Sequence, residues 1–191
     1  MMIKNYEKLS IDEREVLRYS SCPEADAEVQ ELFDFCKAKA LPVITPMLCS
    51  TELDKESAEL FLKSSDFARY AEKAEKIVLF AATIGVGIDR LIASSSVSSL
   101  AEAQMYQAIG AQQIESLCDL YCAELKEEYS LKGYHVRPRY SPGFGNLKLD
   151  VQSDIFRILD CSKIGLSLTE SLIMRPSKSV TAFVAVEKIN R

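Results

Sequence analysis

The 191-residue sequence has no apolar run long enough to cross a bilayer; the longest, Ile77 to Ile84, has the length of a strand. It also lacks an excess of positive charge. Its 23 Lys and Arg stand against 28 Asp and Glu, a net charge of −5, which argues against a nucleic-acid binder with a basic face. The opening residues, Met1 to Lys8, contain no signal-peptide core, so a cytoplasmic protein without a membrane partner is expected. Repeats and low-complexity segments are missing as well. Histidine occurs once, as His135. Cys118-x-x-x-Cys122 has zinc-ligand spacing, but a site there would need two further ligands, so no metal is expected. The six cysteines (22, 36, 49, 118, 122 and 161) are spread through mostly apolar settings, unlike the framework of a short secreted chain. Small core thiols are the expected role.

What is present is an ordinary globular composition, 48% apolar and 27% charged, on a chain long enough to bury a core. Residues 1–75 read as helical with one extended insert. Pro23-Glu24-Ala25-Asp26 opens a helix with acids in its first turn, and Val29, Leu32, Phe33 and Cys36 form its apolar stripe. Leu41 to Leu48 holds two prolines and reads as an extended segment at a sheet edge. Ser64-Ser65-Asp66 caps a short helix running to about Ala74. Residues 76–84 are apolar on both faces, which predicts a central strand. Gly85-Val86-Gly87 and a short helix follow. A dinucleotide fingerprint would place its third glycine at Arg90, and no βαβ pattern surrounds it, so a tight turn is the reading here.

Ser99-Leu100-Ala101-Glu102 is a capping box that starts the longest helix, ending near Tyr129. Ile114, Leu117, Tyr121 and Leu125 form its apolar stripe. A neighbouring face carries Ala108, Ala111, Glu115, Cys118 and Cys122. An acid among small residues either receives a cationic ligand or is simply solvated at the edge of the stripe. Beyond Gly133, residues Tyr134 to Tyr140 read as extended, Ser141 to Gly145 as a turn, and Leu149 to Leu159 as an amphipathic helix. Leu166–Met174 and Ser179–Val186 read as an antiparallel hairpin closing the chain. The fold expected is α+β, with helices packed on a mainly antiparallel twisted sheet, residues 1–75 and 76–191 forming one domain.

Two stretches carry a resemblance. They are Arg137-Pro138-Arg139-Tyr140-Ser141-Pro142-Gly143-Phe144-Gly145 and Lys163-Ile164-Gly165-Leu166-Ser167-Leu168-Thr169-Glu170-Ser171, the second followed by Pro176-Ser177-Lys178-Ser179-Val180-Thr181. Over residues 134–186 their order and spacing resemble the activation (reactivation) domain of cobalamin-dependent methionine synthase, with its Arg-x-x-Pro-Gly-Tyr loop, Ile-Gly-x-x-Leu-Thr-Glu-Ser strand and Pro-x-x-Ser-Val strand. Ile114-Glu115-Ser116 resembles that domain's Ala-Glu-Ala helix. The N-terminal third is more similar to the small stand-alone proteins of the family.

The resemblance implies an accessory component rather than a complete enzyme, with no catalytic residue of its own. It implies S-adenosylmethionine held next to cobalamin on a partner, a methionine synthase or related corrinoid protein. When that cofactor is oxidised to cob(II)alamin, an electron donor such as flavodoxin or ferredoxin reduces it and the bound ligand gives the methyl. Arg139 falls on the family's loop arginine and would take the ligand's carboxylate, with Arg137 the alternative if the loop shifts. Ser141 and Gly143 would lend backbone groups, Phe144 replaces the family tyrosine, and Glu115 would meet the cationic part of the ligand. Thr169 and Glu170 read as strand packing and sheet-edge polarity.

The family's second acid has Gly133 at its spacing, and the family segment that adds a pocket tyrosine lies beyond Arg191. Either affinity for S-adenosylmethionine is reduced or a partner completes the site. The alternative is a protein that caps a corrinoid protein without its own ligand. A stand-alone methyltransferase finds no Rossmann loop or nucleophile–base pair to support it.

Overall fold

The computed structural model describes residues 1–22, 24–54 and 56–189. Its centre is a five-stranded antiparallel sheet built from β1 (Met2–Asn5), β2 (Met47–Leu53), β3 (Ala74–Thr83), β4 (Tyr134–Val136) and β7 (Ser179–Lys188), in the order β1-β2-β3-β7-β4. Period-two alternation sends the side chains of each strand to two different cores. Leu48, Val78, Phe80, Ala82, Val184 and Val186 face one side; Cys49, Ile77, Leu79, Ala81, Phe183 and Ala185 face the other. Helices cover both sides, so β3 can be apolar on both faces from Ile77 to Ala82.

On the first side lie α1 (Glu13–Tyr19), α2 (Ala27–Ala40), α5 (Gly87–Ser98) and α6 (Leu100–Ser130). The Ser99 side chain accepts from the Glu102 amide and caps α6 where the sequence places its start, but the reciprocal half of the box does not form, because the Ser99 amide donates to the Ser95 carbonyl. Ile114, Leu117, Tyr121 and Leu125 are all buried against the sheet. Each such side chain contributes roughly 1.5–3 kcal/mol relative to exposure. Asp26 caps α2 by accepting from Val29; Pro23, expected to open this helix, lies outside the described residues. The second side is covered by α3 (Glu59–Leu62), α4 (Ser65–Tyr70), α7 (Gln152–Ile158) and a 3-10 turn, Cys161–Ile164.

Four expectations are corrected. Residues 166–174 do not join the main sheet as a hairpin with 179–186. β5 (Ser167–Leu168) and β6 (Met174–Arg175) pair only with each other. The polar run Thr169-Glu170-Ser171 makes a turn instead, with the Thr169 hydroxyl accepting from the Ile173 amide at 3.0 Å. β7, apolar on both faces, finds its partner along the length of β3.

Leu41 to Leu48 is not an edge strand. Pro42 begins a 3-10 turn, Leu41–Val43, and both prolines precede β2, which lies inside the sheet because the unforeseen β1 pairs on its outer side. The helix capped by Ser64 ends at Tyr70, since Ala74 already belongs to β3. The 149–159 segment divides into a 3-10 turn, Leu149–Val151, and α7.

The Gly85-Val86-Gly87 turn has a packing cause. A Cβ on Gly85, where φ is +82°, would meet the Thr45 hydroxyl at 2.0 Å, and one on Gly87 would meet the Val43 carbonyl oxygen at 2.2 Å. The glycines let the proline-bearing segment close against the start of α5.

Candidate functional site

The segment after β4 is where the two cores meet. Val136 pairs with Val186 and Tyr140 with Phe183, so three residues on one strand face two on the other. This is the geometry of a bulge, and Pro138, which has no amide hydrogen to give the ladder, sits within it. One extra residue reverses which side a side chain faces. Arg137 and Arg139, two apart, therefore point to opposite faces of the sheet.

Arg137 turns toward α4. Its guanidinium lies 5.0 Å from the centre of the Tyr70 ring, donates to the Tyr70 carbonyl at 2.8 Å and reaches Glu187 at 3.3 Å. The Tyr70 hydroxyl donates to the Pro138 carbonyl at 2.8 Å and accepts from the Ala185 amide at 2.9 Å, fixing the bulge to β7.

Arg139 turns toward α6. It donates to the Glu115 carboxylate and, through its other terminal nitrogen, to Asp119 at 2.9 Å. Glu115 and Asp119 are one helical turn apart and so lie on one face. Half-burial works against the charge of Arg139, but Glu115 and Asp119, joined by the Cys118 and Cys122 thiolates in the alkaline range where arginine itself titrates, outweigh this and hold its pKa above the ordinary arginine value. Burial pushes the Cys118 thiol up to about 12 and raises that of Cys122, so both stay protonated at neutral pH. Among the described residues no three His, Cys, Asp or Glu side chains converge to hold a metal ion.

The turn that follows is tied to α4. Asn146 donates from its amide nitrogen to the Ser65 hydroxyl at 2.7 Å and from its backbone to Asp66 at 3.0 Å. The Tyr140 ring packs 5.7 Å from Phe67 and 4.9 Å from Tyr70. Gly143 has φ +94°, a conformation that favours glycine. Its amide donates to Leu147 at 2.7 Å, and the Ser141 carbonyl accepts from Phe144 at 3.2 Å. Those two backbone groups, which a ligand would otherwise use, are spent inside the turn. Phe144 presents an aromatic face that is 64% exposed.

On the outer side of Glu115 and Asp119 a cleft of about 540 Å³ is lined also by Asp12 and Glu15 of the N-terminal region. Arg18 pairs with Glu15, and Arg139 with Glu115 and Asp119, which leaves these groups with a net negative charge that favours a ligand with positive charge.

Of the five residues singled out in the sequence, Arg139 and Glu115 are thus in contact, while Ser141, Gly143 and Phe144 form the turn that begins two residues further on. Asp119 was missed. Its signal was the i, i+4 spacing of two acids on the small-residue face of α6. Glu170 is exposed on the turn between β5 and β6.

No family model and no curated protein matches this sequence. A solved structure does: the MetH reactivation domain bound to AdoHcy superposes with a TM-score of 0.62 at 18% identity, covering 96% of this chain and 72% of that one. The fold is that of the MetH reactivation domain. A likeness over 96% of the chain takes in most of the N-terminal third, and at this identity it speaks for the reactivation-domain fold alone. No described helix is long and apolar enough to cross a membrane.

Proposed function

We propose that this protein binds S-adenosylmethionine at Glu115, Arg139, Ser141, Gly143 and Phe144, and supports the reductive remethylation of cob(II)alamin on a separate cobalamin-dependent methionine synthase. The observation that carries this reading is the meeting of Arg139 with Glu115 and Asp119 at the entrance to the Ser141–Gly145 turn. The amino-acid end of S-adenosylmethionine carries a carboxylate and an ammonium. An arginine beside two carboxylates offers the complementary pair, with the planar guanidinium suited to the carboxylate and an acid to the ammonium. The second acid leaves these three groups with one net negative charge, matching the extra positive charge of the sulfonium.

Methyl transfer and reduction belong to the ligand, the cobalamin of the partner and an electron donor such as flavodoxin or ferredoxin. The residues of this chain hold and orient. Phe144 supplies an apolar aromatic face for the adenine or sulfonium, and the turn, fixed through Asn146 and Tyr140, sets its position.

Calorimetric titration of S-adenosylmethionine into the protein, alone and with a cobalamin-loaded methionine synthase, tests the reading. Binding in the presence of the partner is expected, tighter than without it. One feature favours a second reading, a corrinoid-capping protein without its own ligand: both terminal nitrogens of Arg139 are already occupied by acids. Absence of ligand binding in both titrations, with association of the two proteins retained, would establish that reading in place of the first.

A further inference from the structure

A second cleft, of about 460 Å³, opens where the N-terminal strap crosses α6. Its walls are Leu9, Leu41, Pro42, Ile44 and Pro46, with Gln113 at its base. Its volume falls in the range of small-molecule sites. An apolar cleft of this size persists where its walls are held apart by contacts of their own. Both walls have such contacts.

The Leu41–Pro46 wall is fixed by its two prolines, by Thr45 donating to Ile84 at 2.9 Å and by Tyr6 donating to Pro46 at 3.0 Å. It also rests on Gly85 and Gly87, where no side chain could be accommodated. The strap is held by its Ser10 carbonyl, which accepts from Gln113 at 3.0 Å and Ser116 at 3.3 Å.

Gln113 is 1% exposed. Its amide nitrogen is used twice, toward Ser10 and toward Gln112 at 2.9 Å. Among the described residues its carbonyl oxygen accepts nothing, and it is not sealed off within the protein interior. An amide oxygen has room for two donors. The base of an apolar cleft therefore presents an acceptor. Glu7 and Lys8 also line the cleft and balance each other in charge, which gives no advantage to a charged guest.

We infer that this cleft is a binding site for a small, neutral, flat apolar molecule that carries one N–H or O–H donor, directed at the Gln113 carbonyl. It is separate from the Arg139 site and does not depend on the function proposed there. Gln113 and Glu115, two residues apart on one helix, face nearly opposite directions.

Indole is a suitable probe, and indene, the same shape without the N–H, is its control. Amide NMR spectra of the full chain titrated with indole should shift in a saturable way at residues 7–9, 41 and 43–45 and at the Gln113 side-chain amide. Indene should bind about threefold to tenfold more weakly, the worth of one hydrogen bond. Ile44→Trp should fill the cleft and remove indole binding. Leu9→Trp, on the strap, should remove it as well and provides the test should Ile44→Trp not fold. No shifts up to the solubility limit of indole, shifts centred elsewhere, or equal binding of indole and indene by the unmodified protein would each overturn the inference.

Discussion

The two sides of the sheet are built differently. One is covered chiefly by α6, a single 31-residue helix that brings its own cap, apolar stripe and small-residue face. The other is covered by short pieces from two distant parts of the chain, residues 59–70 and 149–164, gathered around an aromatic cluster. There Phe183 lies 4.7 Å from both Phe61 and Phe67. The α6 side can carry charged groups beside its stripe because one long helix exposes a full face to solvent. The aromatic side pairs its charges locally on its outer surface, Arg69 with Asp66 and Arg157 with Asp154, and its interior serves as an anchor. The candidate site lies where the chain crosses between them, its turn anchored on the aromatic side and its arginine delivered to the Glu115–Asp119 face of α6.

The largest effect should come from the anchor. Phe67→Ala removes a side chain in contact with Phe61, Tyr140 and Phe183 and should cost about 3–5 kcal/mol in chemical denaturation. It should also weaken ligand binding, because Tyr140 loses its support. Unchanged ligand affinity in a folded Phe67→Ala protein would separate the two sides. Gly87→Ala comes next, at roughly 1–3 kcal/mol, since its methyl meets the Val43 carbonyl. Arg137→Ala should cost roughly 1 kcal/mol through the lost bond to Tyr70 and ring contact, with little effect on ligand binding.

The smallest effect concerns Lys178, whose stem lies against Gly110 of α6 and whose amine burial drives to a lowered pKa. A lysine depressed in the folded state costs stability while both states are protonated. That cost is relieved as pH rises through the lowered value toward the ordinary 10.5. Lys178→Met should therefore stabilise the protein most at neutral pH, and thermal melts should show the advantage shrinking toward pH 10.

The same contrast decides what could be read from the sequence. The α6 side was legible because its signals are local: the Ser99–Glu102 box, the 114–117–121–125 stripe, the two-faced apolarity of β3. The other side depends on contacts between residues 80 or more apart, such as Asn146 with Ser65, which leave no periodic trace. β1 was missed because four residues at an exposed edge show no alternation, and β5–β6 was overread because Leu166–Leu168 and Leu172–Met174 are apolar on either side of a turn. In the site, the loop motif identified the segment. Its orientation came from a bulge that spacing alone does not reveal, and Asp119 emerged only when Arg139 was seen reaching past Glu115.

The central claim is that the bulge at Pro138 assigns ligand binding to Arg139 and anchoring to Arg137. Calorimetric titration of S-adenosylmethionine into the unmodified protein, Arg139→Ala and Arg137→Ala, each with the cobalamin partner present, tests it most directly. Arg139→Ala should lose about 2–4 kcal/mol, some thirtyfold to several hundredfold in affinity, with Arg139→Lys recovering only part of it. Its melting temperature should stay near that of the unmodified protein, because the arginine leaves only two partly solvated acids one turn apart. Arg137→Ala should bind nearly normally. If Arg137→Ala instead abolishes binding while Arg139→Ala leaves it intact, the assignment of the two faces is wrong.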